Sequence, residues 1–208
     1  MEYNSCTYGL RKADPYYQQL VNRITKMAGM DYTIDVYASD TSNACATLFK
    51  RCSSEPRKPV IAYNPEFIRD VEAQSFWAML AIFAHEVAHH YNKDLYGNYI
   101  ANLWGIAVDK KSHRQELNAD MFAGWVLRNE GASLKQALEM YRTVYFTESF
   151  THPSEYKRKE AMKEGWMAAH EQLTPKQVQK TQPQSSGLGE FLLFAGAVGL
   201  LGYALSRD

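Results

Sequence analysis

Apolar residues fall at helical spacing along Asp14–Ala28, through Tyr17, Leu20, Val21, Ile24 and Met27, and Gly29 supplies a stop. Short β-prone runs follow at Tyr32–Tyr37, Ala44–Phe49 and Val60–Tyr63, separated by Asp, Ser, Asn and Pro. From Ser75 onward the pattern turns helical. Helices are predicted over Ser75–Asn92, His113–Asn129, Ser133–Phe146 and Pro153–Gln172, with a weaker periodicity over Asn98–Val108. The expected fold class is α+β, mainly helical, with a small β-sheet ahead of the helix Ser75–Asn92.

Within that helix Phe76, Leu80, Phe83 and Val87 form a bulky stripe, while His85 and His89 fall nearly opposite, beside Ala78, Ala81 and Ile82. A helix apolar on both sides belongs between layers. Two histidines on such a surface need partners.

The stretch Thr174–Gly189 is rich in Pro, Gln, Ser and Gly and reads as a linker. The division expected is a domain over 1–173, a linker over 174–189 and an apolar helix over 190–208. Phe191–Leu205 is an uncharged apolar run of about 22 Å as a helix, short against a bilayer core of about 30 Å. Gly196, Gly199 and Gly202 would line one of its sides. It is expected to be a C-terminal membrane anchor with the domain 1–173 cytoplasmic, the alternatives being a tail docked on protein and a cytoplasmic chain.

Composition narrows the classes. A chain of 208 residues, 46% hydrophobic and 22% charged, suits one domain with a real core. Its 23 basic and 23 acidic residues cancel, and no basic stripe interleaved with aromatics appears, so no nucleic-acid partner is expected. Three cysteines, Cys6, Cys45 and Cys52, without paired spacing and with a polar opening segment, predict a reducing compartment and no disulfide framework.

His85-Glu86-Val87-Ala88-His89 is an HExxH pentapeptide inside the strongest helical pattern. Four residues are a little over one helical turn, so both imidazoles project from one face and can reach one ion at roughly 2.0–2.1 Å. Glu86, beside the first ligand but rotated along the helix, is placed to take the proton of a metal-activated water and pass it to a leaving amine. A chance HExxH in a chain with this His and Glu content is roughly a one-in-a-hundred event. Ordinary core histidines are the competing explanation.

Catalytic zinc usually takes three protein ligands and leaves one position open. Glu116 is the leading candidate for the third, because Glu116, Ala119, Asp120 and Ala123 share one helical face whose small alanines permit close approach. Asp120 is then placed to accept the free ring N–H of a ligand histidine, His85 first, and set its tautomer. The alternatives are a solvated Glu116 near a helix N-terminus, where acids are favoured, and His113 as ligand in its place.

These residues resemble a known family. His85-Glu-Val-Ala-His89, followed by Arg114-Gln-Glu116-Leu-Asn-Ala119-Asp120-Met-Phe122-Ala123, is similar to the gluzincin peptidases related to the membrane protease HtpX and the CAAX-prenyl endopeptidases. Asn43–Ala46 and Pro59–Tyr63 resemble the two strands that precede the metal helix in that family. Phe150–Ser154, with Arg158, resembles its downstream His-Pro-Ser…Arg element. The resemblance spans roughly residues 40–170. It implies a zincin-like minigluzincin domain with Zn2+ on His85, His89 and Glu116, Glu86 as base, Asp120 and Arg158 in support, and a protein or peptide substrate lying along an edge strand.

Two departures qualify the likeness. The separation from His89 to Glu116 is short, and the membrane hairpin of HtpX-like proteins is missing there. The short separation also resembles ImmA/IrrE-type peptidases, which cleave transcriptional repressors. His152 has two readings: a catalytic group, as oxyanion donor or fourth ligand, or a residue that merely precedes Pro153 at a helix start. Cys45 and Cys52 are read as buried thiols rather than ligands. The function expected is that of a zinc endopeptidase. A non-catalytic zinc-stabilised module competes with it, but such a module has no need of Glu86.

Overall fold

The computed structural model describes residues 5–50, 52, 54–95, 109–144 and 153–171, and the side chains at 5 and 109–112 are not among those described. The chain divides into Met1–Pro175 and Lys176–Asp208. The described residues all lie in the first unit.

After a 3-10 turn at Ser5–Thr7 come β1 (Arg11–Lys12), α1 (Pro15–Met27), β2 (Asp35–Ala38), β3 (Ala44–Phe49), β4 (Lys58–Tyr63), α2 (Pro65–Gln74) and α3 (Phe76–Tyr91). The second half holds α4 (Asp109–Asn129), α5 (Leu134–Ala137), α6 (Met140–Thr143) and α7 (Glu155–His170). The fold is α+β and mainly helical, with its four-stranded mixed sheet placed before α3.

The sheet runs β1-β2-β4-β3. β2 and β4 pair in parallel, from Asp35 opposite Val60 to Ala38 opposite Tyr63, and β3 returns antiparallel along β4, from Ala44 opposite Tyr63 to Phe49 opposite Lys58. β3 is therefore an edge strand. Ile61, Tyr63, Val36 and Ala38 turn inward, to a core shared with Leu20, Val21 and Ile24 of α1 and with Leu80, Phe83 and Val87 of α3.

Helix starts are set by caps. Asp14 accepts from the Tyr16 amide ahead of Pro15, and Asn64 accepts from the Glu66 and Phe67 amides ahead of Pro65. Ser75 accepts from the Ala78 amide at the start of α3. All residues from Ala78 to His85 are buried, because α3 lies between the sheet and α4.

Helices α4 and α7 meet backbone to backbone at two glycines. A Cβ on Gly124 would lie 1.9 Å from the Met162 carbonyl oxygen, and one on Gly165 1.8 Å from that of Met121. No side chain fits at either position. The close crossing brings Arg158 of α7 to Asp120 of α4.

Several expectations change. Over its described part, to Val144, the single helix predicted for Ser133–Phe146 is two short ones, because the chain turns at Leu138 and Glu139, where Glu139 reaches across to the Ser75 hydroxyl. The helix α2 and the strand β1 were not anticipated. Cys6 and Cys45, 39 residues apart, form a disulfide, which corrects the expectation of none: the opening 3-10 turn packs on β3 and brings the sulfurs together. The membrane anchor, and the membrane-associated localisation that depended on it, are withdrawn. No helix among the described residues is long and apolar enough to cross a membrane. The predicted helix Asn98–Val108, the linker and the tail lie outside the described residues.

Candidate metal centre

The four-residue spacing on α3 sets the rings of His85 and His89 side by side, centroids 4.8 Å apart and nearly perpendicular. Their Nε2 atoms face each other at 3.2 Å. Helix α4 approaches closely through Ala119 and Ala123, both fully buried, and delivers the Glu116 carboxylate to the same point. Oε2 lies 3.5 Å from Nε2 of His85, and Oε1 lies 3.5 Å from Nε2 of His89. These three side chains are close enough together to hold one metal ion.

The remaining ring nitrogens decide what the centre wants. His85 Nδ1 lies 2.9 Å from Oδ1 of Asp120, and His89 Nδ1 lies 3.0 Å from Oδ2 of Asp94. An ionised carboxylate only accepts, so both Nδ1 atoms carry the proton that is donated. Neutral rings of that tautomer aim two bare Nε2 lone pairs at each other and at a carboxylate. Such a cluster is repulsive until a cation, either a proton or a metal ion, enters it. The same field acts on His85 itself: burial pulls its pKa down, but Asp120 and Glu116 outweigh burial and push it up to about 10.

Asp120 is fully buried. Burial pushes its carboxyl upward, yet the Arg158 guanidinium and His85 prevail and hold it below the usual carboxylate range. Arg158 grips it with Nε on Oδ2 at 2.7 Å and Nη2 on Oδ1 at 2.8 Å, a bidentate pair.

No protein-family model, no curated protein and no solved structure matches this chain.

Glu86 sits one residue along α3 from His85 and is not one of the three converging side chains. Its Oε2 instead accepts the backbone N–H of Ala46, on the edge of β3 that pairs with no other strand among the described residues, at 2.6 Å. Burial raises its pKa, and the neighbouring histidines pull the other way without cancelling the rise. A carboxylate that is off the cluster, adjacent to it and inclined to take a proton has the attributes of a general base.

His113, the alternative ligand, lies one turn before Glu116 and is not part of the group. His152 lies outside the described residues. Cys52 is exposed rather than buried, and Cys45 is committed to its disulfide. Two participants were not foreseen. Ala46 acts through its backbone, which no side-chain pattern reveals. Asp94 lies five residues past His89, beyond the end of α3, where helical periodicity no longer reports on neighbours.

Proposed function

We propose that this protein is a zinc-dependent endopeptidase of the gluzincin type. The observation that carries the reading is the set of three facing ligand atoms with Glu86 beside them. Four ligands at about 2.0–2.1 Å around zinc lie about 3.3–3.4 Å from one another in a tetrahedron. The two imidazole Nε2 atoms, 3.2 Å apart, stand close to that spacing. The Glu116 carboxylate faces both, Oε2 at 3.5 Å from His85 and Oε1 at 3.5 Å from His89, with one ligand atom from each residue within 4.8 Å of the others. Two neutral imidazoles and a carboxylate are also a donor set that zinc favours.

Zinc held there would supply Lewis acidity to a water and to the scissile carbonyl. The chain's own residues do the rest. Glu86 takes a proton from the attacking water and returns it to the departing amine, so the peptide C–N bond breaks with no net proton change. Asp120 keeps the proton on Nδ1 of His85, leaving Nε2 free to ligate, and Arg158 keeps Asp120 ionised and in place. The edge of β3, next to Glu86, offers an extended peptide a strand to pair with.

The test is zinc content together with hydrolysis of an unstructured protein by the full-length chain and by Glu86→Gln. The variant is expected to bind zinc in full and to lose hydrolysis by at least a hundredfold. Cleavage at the wild-type rate would remove Glu86 from the reaction. Absence of zinc from the wild type would remove the whole reading. A zinc-stabilised module with no activity would show zinc without hydrolysis in either protein.

A further inference from the structure

Two unlike devices hold the two ligand histidines. His85 is anchored from outside its helix, by Asp120 of α4 with Arg158 of α7 behind it. His89 is anchored by its own chain: Asp94, five residues on, returns its carboxylate to Nδ1 at 3.0 Å, and both side chains are largely covered. The return depends on how α3 stops. Asn92 closes the last turn onto the Ala88 carbonyl, and Lys93 then takes φ of 59° with its N–H on the His90 carbonyl. Among the described residues Lys93 is the one non-glycine residue with positive φ. A left-handed residue at this point reverses the chain, as in common helix C-caps, where glycine is usual. Here the reversal also brings a carboxylate back to a ligand ring.

We infer that Asp94 is the positioning residue for His89, and that the left-handed stop at Lys93 is what aims it. The inference rests on the proposed metal reading. Fixing the proton on Nδ1 leaves the Nε2 lone pair for the ion and prevents the ring from rotating away. Loss of comparable outer partners weakens metal binding by about ten- to a hundredfold.

The experiment measures zinc affinity of the full chain by competition with a chromophoric chelator. It also follows the proton resonance of the His89 Nδ1–H in the zinc-loaded protein. Asp94→Ala is expected to weaken zinc by about ten- to a hundredfold and to lose the slowly exchanging Nδ1–H signal. Asp94→Asn, whose amide oxygen still accepts, should fall between it and the wild type. Lys93→Gly keeps the left-handed turn and should keep wild-type affinity, whereas Lys93→Val, which disfavours that φ, should reproduce the Asp94→Ala loss. If Asp94→Ala does not fold, the Asn, Gly and Val variants still decide the matter. Asp94 variants that bind zinc within twofold of the wild type, while His89→Ala loses it, would overturn the inference and leave the metal reading standing. Failure of the wild type itself to bind zinc would overturn the reading beneath both.

Discussion

Arg158 closes on Asp120 with two hydrogen bonds, at 2.7 and 2.8 Å, one to each carboxylate oxygen, inside a buried helix contact. The pair joins α7 to α4 and sits directly behind His85. Taking two charges out of water is costly, so it adds little net stability as a pair, but removing one partner strands the other.

Arg158→Leu is therefore expected to destabilise the fold by about 3–5 kcal/mol, because Asp120 is left buried without the guanidinium that balances its charge. The measurement is chemical unfolding of the metal-free protein. A double variant Arg158→Leu/Asp120→Leu should recover part of the loss. A double variant no better than the single one would show that packing, not the stranded charge, is what Arg158 supplies.

The glycine crossing gives a second prediction. A methyl group at Gly165 or Gly124 would strike backbone carbonyl oxygens rather than side chains that can move aside, so α4 and α7 must separate. Gly165→Ala and Gly124→Ala should each destabilise by about 1–3 kcal/mol or more, despite the better helix propensity of alanine. Thermal unfolding checks this, and an unchanged midpoint for both would mean that the crossing is looser than described.

What could be read in advance was what lies within about one helical turn in the chain. Ser75, the apolar positions after it and the HExxH spacing announce α3, because cap, periodicity and ligand spacing are all local. The small alanines beside Glu116 pointed to a close approach to the histidine helix, and α4 packs on α3 through them. Asn64-Pro65 was a readable start for α2, a cap followed by proline at the first helical position, yet α2 was not anticipated. Other features were hidden because their causes are distant. The break at Glu139 depends on Ser75, and the Cys6–Cys45 bond on a turn that packs against β3. Arg158 carried no periodic signal of its role and entered only through the family resemblance. Its guanidinium matters because two glycines let the helices touch.

Metal removal supplies a third prediction. A ligand that binds the native state alone stabilises it by about 2.7 kcal/mol when present at a hundred times its dissociation constant. The melting temperature should rise with added zinc, saturate, and fall again with a strong chelator. His85→Ala and Glu116→Ala should show no such shift, since each lacks one of the three facing ligand atoms. A wild-type midpoint indifferent to zinc and chelator alike would deny the centre its ion.

The last prediction concerns His90, which follows the ligand His89 but serves the sheet. Its ring is fully buried, with Nε2 3.0 Å from the Val60 carbonyl and, among the described residues, no hydrogen-bond partner for Nδ1. The carbonyl can only accept, so Nε2 carries the proton and a neutral ring satisfies the contact. Burial is the main reason that its pKa falls to about 4, with the carbonyl opposing and His89 adding slightly to the fall. The unfolded chain, with an ordinary value near 6.5, binds more protons between these limits, so stability rises with pH there. This contribution is complete above about 6.5, is lost progressively as pH drops, and is gone near 4; at full size it is about 3 kcal/mol. His85 does not blur the window, because its raised pKa makes its own contribution complete below about 6.5 and lost only toward 10. Unfolding of the metal-free protein should therefore show a loss between pH 6.5 and 4 that shrinks by about that amount in His90→Gln, whose amide can still donate to Val60. Equal losses in the two proteins would mean that His90 is charged in the folded state, and that the contact with Val60 does not depend on a neutral ring.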